Sequence, residues 1–290
     1  MSRPRQGAGV QRSEPLHKQV ARNIRNAIEA GVLRDGQSLP SSRELAAEWK
    51  VSPFTINEAM DLLIKEGLVV SKPRAGRIVN APNLSPSVDG KMQISSPKAL
   101  IIGGYAGSGK SELGRILARL TGWALLDKDT LTRPVVEVAL ELLGHPGSDR
   151  ESELYLSRVR GREYEALESA MKENIQCGNS VIVTAPFIRE FADGAWVNRI
   201  QADCQSVGTE AVFVWVYCDP ATMHTYVRHR GAARDSVKLA NWDEYIAGID
   251  LDLRPPVDHA VIDNSATSKP LQEQAQQLVA SLAAEEVAST

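Results

Sequence analysis

Cysteine is scarce in this sequence, since only Cys177, Cys204 and Cys218 occur among its 290 residues. They form no CxxC pair, and no histidine stands near them at zinc-ligand spacing, which argues against a zinc site. The five histidines of the chain show no metal-binding pattern either. We therefore predict that the three cysteines are buried, reduced thiols of a cytoplasmic protein.

Long apolar runs are also missing. No stretch approaches the roughly 20 uninterrupted apolar residues that a membrane-spanning helix needs. The first residues, MSRPRQGAGVQRSEP, include arginines but no apolar core after them, and so lack the pattern of a secretory signal. We expect residues 1–13 to form a disordered arm.

The net charge is small, at −3, but it is unevenly distributed. Residues 1–80 hold 13 lysines and arginines against 8 aspartates and glutamates, which gives +5, and the rest of the chain carries −8. A basic front part on an acidic body indicates that only the front part contacts a polyanion.

The chain divides into three zones. Residues 14–80 carry helical patterns and end in a short basic strand pair, and residues 81–97, APNLSPSVDGKMQISSP, have the composition of a linker. In residues 98–290, strand-like runs alternate with helical stretches, and residues 270–288 predict one closing helix. The alternation predicts an α/β domain with a doubly wound, mostly parallel sheet. Its predicted strands are KALIIGGY, WALLD, SVIVTAPF, AVFVWVYCD and HAVIDN.

The front zone begins with two predicted helices. Apolar residues recur every four positions from Leu16 to Ile28, which indicates an amphipathic helix. Ser41 and Glu44 then offer a capping box for a second helix over about 42–49, because each side chain can reach the backbone N–H of the other.

A third helix and a hairpin complete this zone. Ser52 followed by Pro53 is a helix start signal, and Gly67 ends the helix. The stretch LVVSKPRAGRIVN after it predicts a basic β-hairpin. Two short helices joined by a tight turn form a helix-turn-helix, whose second helix can enter the major groove of DNA.

The stretches LPSSRELA, VSPFTINEAMDLLIKEGLV and RAGRIV resemble the GntR family of bacterial winged-helix transcription regulators, over residues 14–80. The resemblance implies an operator DNA partner and a homodimer. In that family an arginine of the RELA segment, residues early in the recognition helix and the wing tip contact DNA. The positions that match are Ser42, Arg43, Ser52, Thr55, Asn57, Lys72, Arg74, Gly76 and Arg77.

The sequence departs from the family in the recognition helix. Members often carry arginines where this chain has Pro53 and Asn57, so arginine–guanine readout is missing there. Asn57 can instead pair with adenine, while Ser52 and Thr55 suit phosphate contacts. We therefore expect an operator unlike that of the arginine-bearing members. The alternative is a helix-turn-helix that serves only dimerisation or protein contact.

Residues 104–111, GYAGSGKS, fit the G-x-x-x-x-G-K-[ST] pattern of a phosphate-binding loop. The buried-strand run ALII precedes the loop, and an apolar helix face from Leu113 to Leu120 follows it, as the pattern requires. We expect Lys110 to contact the outer phosphates and the Ser111 hydroxyl to bind Mg²⁺. The predicted site for ATP and Mg²⁺ is Gly104, Tyr105, Ala106, Gly107, Ser108, Gly109, Lys110 and Ser111.

The next predicted strand ends in LLDKDTL. With the phosphate-binding loop, this segment resembles small-molecule P-loop kinases such as gluconate and adenylylsulfate kinases, and also zeta-toxin-like and chloramphenicol-phosphotransferase-like ATPases, over residues 98–268. The resemblance implies that Asp127 or Asp129 positions an acceptor hydroxyl or the metal shell, with Arg133 as a substrate contact. The alternative is a solvated pair in which Asp129 caps the next helix. Thr184 stands where a Walker-B aspartate is usual.

The segment AVFVWVYCDPATMHTYVRHRGAARD combines a strand, a helix start at Asp219-Pro220 and three arginines. It resembles the lid of nucleoside-monophosphate-kinase-like folds, in which arginines close over the transferred phosphoryl group. The resemblance implies catalytic roles for Arg228, Arg230 and Arg234, with plain surface charge as the alternative.

The remaining polar candidates are less specific. We expect His224 and His229 to lie on the surface of the lid helix. The residues that could face an acceptor are Arg150, Tyr155, Arg158, Arg162, Tyr164 and Arg189, of which Arg189 is the predicted substrate contact and several could form a solvated helix face.

Together these signals predict a cytoplasmic, nucleoid-associated transcription regulator whose P-loop domain binds a nucleotide, and a small acceptor molecule, and so alters DNA binding. Two alternatives remain open. One is a bifunctional small-molecule kinase that represses its own operon, and the other is a zeta-toxin-like phosphotransferase with a fused DNA-binding segment. Phosphoryl transfer distinguishes both from a sensor.

Overall fold

The computed structural model of the chain describes residues 14–73, 76–82, 96–231 and 235–289. The predicted arm at 1–13, most of the predicted linker, Arg74, Arg234 and the side chain of Arg230 lie outside the described residues. Within the described ranges, no helix is long and apolar enough to cross a membrane.

The front module is a helix-turn-helix with a β wing. Its elements are α1 (Leu16–Glu29), α2 (Ser42–Trp49), α3 (Pro53–Lys65), β1 (Val69–Lys72) and β2 (Gly76–Val79), and the two strands pair antiparallel. The predicted capping box is confirmed, because the Ser41 hydroxyl accepts from the Glu44 N–H and the Glu44 carboxylate accepts from the Ser41 N–H. Burial of one apolar face of each helix holds the module together, with Val20, Ile24, Ile56, Met60 and Leu63 at its centre.

The second module is an α/β domain built on a five-stranded parallel sheet. Its strands are β3 (Lys98–Gly103), β4 (Ala124–Asp127), β5 (Val181–Thr184), β6 (Glu210–Tyr217) and β7 (Ala260–Asp263). Its helices are α4 (Lys110–Thr121), α5 (Lys128–Leu142), α6 (Arg160–Gln176), α7 (Ile188–Ala192), α8 (Gly194–Gln205), α9 (Pro220–Arg230), α10 (Ser236–Ala240), α11 (Trp242–Ala247) and α12 (Leu271–Ser289), and a π-helical turn at Tyr155–Val159 leads into α6.

The strand order β4-β5-β3-β6-β7 places the phosphate-binding loop at the centre of the sheet. All four strand pairs are parallel, which confirms the predicted doubly wound architecture. One apolar cluster joins the sheet to α4 and α12, and a second joins its other face to α6 and α8. Because the carboxyl ends of parallel strands share one edge, the loop after β3 lies beside the ends of β4 and β5.

The two modules contact each other directly through α1. Ala30, at the end of α1, belongs to the apolar cluster that contains Leu113 and Leu117 of α4. The Arg22 guanidinium donates to the Ser268 hydroxyl at 3.2 Å and to the carbonyl oxygen of Ala266. The front module is therefore packed on the α/β domain at the loop that follows β7.

Two expectations about solvent exposure are wrong. Cys177 is exposed, because it is the C-cap of α6, whereas Cys204 and Cys218 are buried as predicted. His229 is not a plain surface residue, since its ring stacks on Trp49 of the front module and 30% of its side chain is exposed.

Candidate functional site

The loop between β3 and α4 has a backbone that requires glycine. Gly107 and Gly109 have φ angles of 81° and 95°, in the left-handed region that side chains disfavour. A Cβ atom at Gly107 would lie 2.6 Å from the Val227 side chain, and one at Gly109 would lie 2.3 Å from the Asn264 amide nitrogen. The loop is therefore in close contact with α9 and with the loop after β7.

This loop has the donors that a polyphosphate needs. Within the described part of the chain, the N–H groups of Gly107 and Gly109 make no hydrogen bond, and α4 begins at Lys110 directly after them. The Lys110 ammonium lies over the loop and donates to the Tyr105 carbonyl at 2.7 Å. Unpaired amides, a helix N-terminus and a lysine fit a chain of phosphate oxygens.

Asp127 lies at the centre of the polar contacts beside the loop. Its Oδ2 accepts from the Ser111 hydroxyl at 2.9 Å and from the Thr184 hydroxyl at 2.8 Å, and its Oδ1 accepts from the Thr130 N–H at 3.0 Å. Asp127, and not Asp129, is thus the N-cap of α5. The Ser111 hydroxyl and this carboxylate are oxygen ligands of the kind that Mg²⁺ prefers.

A cavity of about 340 Å³ opens on one side of the loop, within the α/β domain. We call it the inner cavity. It is lined by Lys110, Asp127, Arg150, Tyr155, Arg160 and Arg189, among others. Of the residues predicted to face an acceptor, Arg150, Tyr155, Tyr164 and Arg189 line it, whereas Arg158 and Arg162 do not.

A buried polar network supports the wall of the inner cavity, which Lys128 and Tyr155 line. The Glu163 carboxylate accepts from Lys128 at 2.9 Å, from the Tyr155 hydroxyl at 2.6 Å and from the Thr132 hydroxyl at 2.8 Å. Burial alone would raise the pKa of Glu163, but the Lys128 charge and these hydrogen bonds hold that pKa below its usual value. Burial and the bond to Glu163 raise the pKa of Tyr155, so it stays a neutral donor.

Arg160 was not recognised in the sequence, although it lies in this cavity. Its guanidinium pairs with Glu190 at 2.7 Å and stacks 4.2 Å from the centre of the Tyr164 ring. Arg189 is exposed and makes no ion pair or hydrogen bond in the part of the chain that is described. Arg160 lies between Arg158 and Arg162 in the stretch RVRGR, so nothing in the sequence pattern distinguishes it from these two arginines.

A second cavity, of about 480 Å³, lies beside the same loop, between the two modules. We call it the inter-module cavity. Gly107, Gly109, Lys110 and Ser111 form its floor, and Asn23 and Ala27 of α1, Arg115 of α4, and Tyr226 and His229 of α9 form its walls. Arg133 lies in this cavity and not in the inner one.

The structure does not bring Arg228 to the phosphate-binding loop. This arginine is exposed and lines a small cleft against Trp49 and Lys50 of the front module, outside both larger cavities. Its position beside the front module does not favour the predicted catalytic role.

Three of the residues predicted to contact DNA are linked to one another. The Asn57 amide oxygen accepts from the Ser42 hydroxyl at 2.8 Å and from Arg77 at 3.0 Å, and Arg77 also donates to Ser42 at 2.7 Å. These bonds join α2, α3 and the wing. The Ser52 hydroxyl caps α3 by accepting from the Thr55 N–H at 3.1 Å.

Arg43, Phe54, Lys72 and Gly76 are exposed around this cluster. Phe54 was missed in the sequence, although its position early in the recognition helix could have suggested it. Phe54 is 69% exposed, and a phenyl ring at this position suits the methyl group of a thymine. No cluster of three or more histidine, cysteine, aspartate or glutamate side chains that could hold a metal ion occurs among the described residues.

The fold and these two sites define a class: a winged-helix DNA-binding module joined to a P-loop domain of the kinase-like type, which binds nucleotide. The comparisons agree. Residues 16–79 match the family described as bacterial regulatory proteins, gntR family, and residues 100–251 match an AAA domain family. The chain belongs to the gntR family through its front module and to the AAA domain family through its α/β domain.

Curated relatives resemble one module at a time. The HTH-type transcriptional repressor YtrA of Bacillus subtilis (strain 168) is 31% identical over 98 residues, which are 33% of this chain and 75% of YtrA. A shikimate kinase of Moorella thermoacetica is 29% identical over 108 residues, 36% of this chain and 58% of that enzyme. The chain spans less than a third of the length of the first curated regulators that it matches.

Among solved structures, a gluconokinase from Sinorhizobium meliloti 1021 is similar to this chain. It is 17% identical, with a TM-score of 0.43, and the similarity covers 67% of this chain and 98% of the gluconokinase.

Proposed function

We propose that this protein is a transcription regulator whose P-loop domain binds Mg²⁺-ATP and a small anionic second ligand, and whose operator affinity changes with that occupancy. One observation carries the proposal: the phosphate-binding loop is hydrogen-bonded to the DNA-binding module through one intermediate side chain. The Asn26 amide of α1 donates to Asn264 at 3.3 Å, and the Asn264 amide donates to the Ser108 carbonyl of the loop at 3.1 Å.

This connection supplies a physical route from ligand to DNA. A ligand shifts an equilibrium only by its differential affinity for two states. A phosphate chain that settles on the loop changes the surroundings of Ser108, and Asn264 passes the change to α1, which packs on the recognition helix α3. The position of the winged helix relative to the α/β domain is then the quantity that nucleotide occupancy alters.

The inner cavity supports an anionic second ligand. Cationic side chains line this cavity, among them Arg150, Arg160, Arg189 and Lys238. The carboxylates of Asp127 and Asp129 lie at the end of the cavity that adjoins the phosphate-binding loop. Arg189 is exposed and paired with no group in the described residues, so its guanidinium is available to a carboxylate or phosphate of the ligand.

A homodimer is part of the proposal, because two-fold operators require two winged helices. The exposed face of α5 supports a second copy as its partner, since four aliphatic side chains follow a coiled-coil spacing along it. An antiparallel α5 pair would also bring Arg133 of one copy opposite Glu141 of the other. The four side chains are Leu131 (45% exposed), Val135 (72%), Val138 (55%) and Leu142 (84%).

The test is operator binding at fixed Mg²⁺ and salt, with duplexes selected from random DNA. Wild-type affinity should change at least several-fold on addition of ATP, and Lys110→Ala should remove the response while it retains operator binding. Lys269→Ala, which changes an exposed lysine of the same domain, serves as the control. Identical wild-type affinities with and without ATP would contradict the sensor proposal.

A second candidate is phosphoryl transfer, favoured by the carboxylates that line the inner cavity beside Lys110. In this step an acceptor hydroxyl oxygen bonds to the γ-phosphorus, the bond from that phosphorus to the β,γ-bridging oxygen breaks, and the hydroxyl proton passes to Asp127 or Asp129. ADP release from Mg²⁺-ATP should then depend on a hydroxylated anionic acceptor. Asp127→Asn or Asp129→Asn should abolish the dependence, according to which carboxylate accepts the proton, and an acceptor-independent rate would argue against phosphoryl transfer.

A further inference from the structure

We propose that the nucleoside of the bound nucleotide lies in the inter-module cavity, so that α1 of the DNA-binding module forms one wall of the nucleotide site. This inference rests on the proposed nucleotide binding at the phosphate-binding loop, and it assigns the position of the base and ribose. It makes the front module a contributor to nucleotide affinity.

The two cavities meet at the loop. Lys110, Ser111, Asp127 and Asp129 line both of them. These residues mark the outer end of a polyphosphate, because the lysine contacts the outer phosphates and the serine hydroxyl the metal. Two ligands that meet at the outer phosphate approach it from opposite sides, as in-line transfer also requires. The nucleotide and the second ligand therefore take different cavities.

The positions of the N–H groups of the phosphate-binding loop indicate which cavity holds the nucleoside. The inner phosphates of a nucleotide lie in the cradle of loop N–H groups. Gly107 and Gly109, whose N–H groups are unpaired, line the inter-module cavity and not the inner one. Glu112 and Arg115, in the first turns of α4, also line only the inter-module cavity. A phosphate chain that starts at Ser111 and crosses Gly109 therefore leads the nucleoside between the modules.

The size and chemistry of the cavity agree with this assignment. Its volume of about 480 Å³ lies in the range of small-molecule sites, roughly 300–1,000 Å³. Its walls offer the apolar face of Ala27, the amide of Asn23, and the rings of Tyr226 and His229. Flat rings and an amide suit a heterocyclic base, whereas the arginine-rich inner cavity suits an anion.

Hydrogen bonds between the modules fix α1 in position as one wall of the inter-module cavity. Thr225 of α9 donates its hydroxyl hydrogen to Gln19 of α1 at 2.6 Å, and the Asn26 amide donates to the Tyr226 hydroxyl. A nucleoside that touches both α1 and α9 binds this packed arrangement more tightly than a separated one, and so stabilises it. Arg43 and Phe54 remain exposed in this arrangement, so it leaves the DNA-facing surface open.

The variant that tests the proposal is Ala27→Phe in the full chain, because a phenyl ring there fills the cavity from the side of the front module. Calorimetry would measure binding of a non-hydrolysable ATP analogue and of inorganic tripolyphosphate, each with Mg²⁺. We expect Ala27→Phe to weaken the ATP analogue at least tenfold and tripolyphosphate less than twofold. The control is Ala47→Phe, the same change at an exposed site of α2 outside the cavity.

The outcomes separate this inference from the proposed function. Unchanged affinity of Ala27→Phe for the ATP analogue, with loss of binding in Lys110→Ala, would overturn the position of the nucleoside and leave nucleotide binding intact. Failure of the wild-type protein to bind either ligand would overturn both.

A second measurement uses the wild-type protein and does not depend on the folding of a variant. Photolabelling with 8-azido-ATP, competed by excess ATP, should place the label on a peptide from Leu16–Glu29. A label confined to peptides from residues 150–164 would place the base in the inner cavity and overturn the proposal.

Discussion

The indole ring of Trp49 stacks on the imidazole ring of His229, with ring centroids 3.4 Å apart and planes 14° from parallel. Trp49 ends the first helix of the helix-turn-helix, and His229 belongs to the helix that contacts the phosphate-binding loop. This stack therefore joins the helix-turn-helix to the helix that packs against the phosphate-binding loop.

The stack predicts a dependence of stability on pH. Burial lowers the pKa of His229 from 6.5 to about 4, although Glu48 lies 3.8 Å from its Nδ1. Between pH 6.5 and 4, His229 is protonated in the unfolded chain but neutral in the folded protein, so stability falls as the pH falls through this window. The loss is about 1–2 kcal/mol after allowance for partial exposure. His229→Phe should keep the stack and reduce the loss of stability between pH 8 and pH 5, as measured by urea unfolding at both pH values. An equal loss of unfolding free energy in His229→Phe and in the wild type would contradict the prediction.

Glu29 predicts the opposite dependence of stability on pH. Burial in the contact between α1 and α12 raises the pKa of this carboxyl from 4.5 to about 7. The folded protein therefore holds a proton that the unfolded chain releases, and the stabilisation present below pH 4.5 is lost as the pH rises to 7. Glu29→Gln should stabilise the protein by as much as about 3 kcal/mol at pH 8 and have little effect at pH 4.5. Equal effects at both pH values would contradict this.

The buried Glu163 network predicts a large loss of stability. Glu163→Ala leaves Lys128 buried without its main partner and should cost about 3–5 kcal/mol in the free energy of unfolding. Tyr155→Phe removes one hydrogen bond from the same carboxylate and should cost about 1 kcal/mol. Similar losses in the two variants, measured by denaturant unfolding, would mean that the Lys128–Glu163 ion pair contributes no more to stability than a single hydrogen bond.

The predicted DNA contact of Arg43 can be separated from a general charge effect on operator binding. Arg43→Ala should weaken binding by about 1–3 kcal/mol if the guanidinium reads a base, and should relax the sequence preference at one position. Arg34→Ala removes the same charge from an exposed loop of the module and serves as the control. Equal losses in both variants, measured by fluorescence anisotropy, would indicate only a general charge effect.

The exposed face of α5 predicts the oligomeric state. Val138→Glu introduces a charge into the aliphatic stripe and should convert a dimer into a monomer in sedimentation experiments, with weaker binding to two-fold operators. Val207→Glu makes the same change at another exposed valine, 37% exposed, and should leave the dimer unchanged. A dimer that persists in Val138→Glu would exclude this face as the interface.

Local sequence patterns predicted most of the fold. The capping box of α2, the Ser52-Pro53 start of α3 and the Asp219-Pro220 start of α9 are confirmed, because each depends on neighbouring residues only. The alternative considered for Asp129, that it caps α5, is wrong by two positions. Asp127 takes that role because its backbone still has extended geometry at the end of β4, and its side chain accepts from Thr130.

The sequence by itself determined the two modules, the phosphate-binding loop and the helix-turn-helix, since glycine spacing, caps and apolar periodicity act over a few residues. Only the tertiary structure decided that the two modules meet at the phosphate-binding loop. The contact from Asn26 through Asn264 to Ser108 joins residues that are 82 to 238 positions apart, and no periodicity links such positions. Their proximity follows from how the packed surfaces of α1, α9 and α12 fit together.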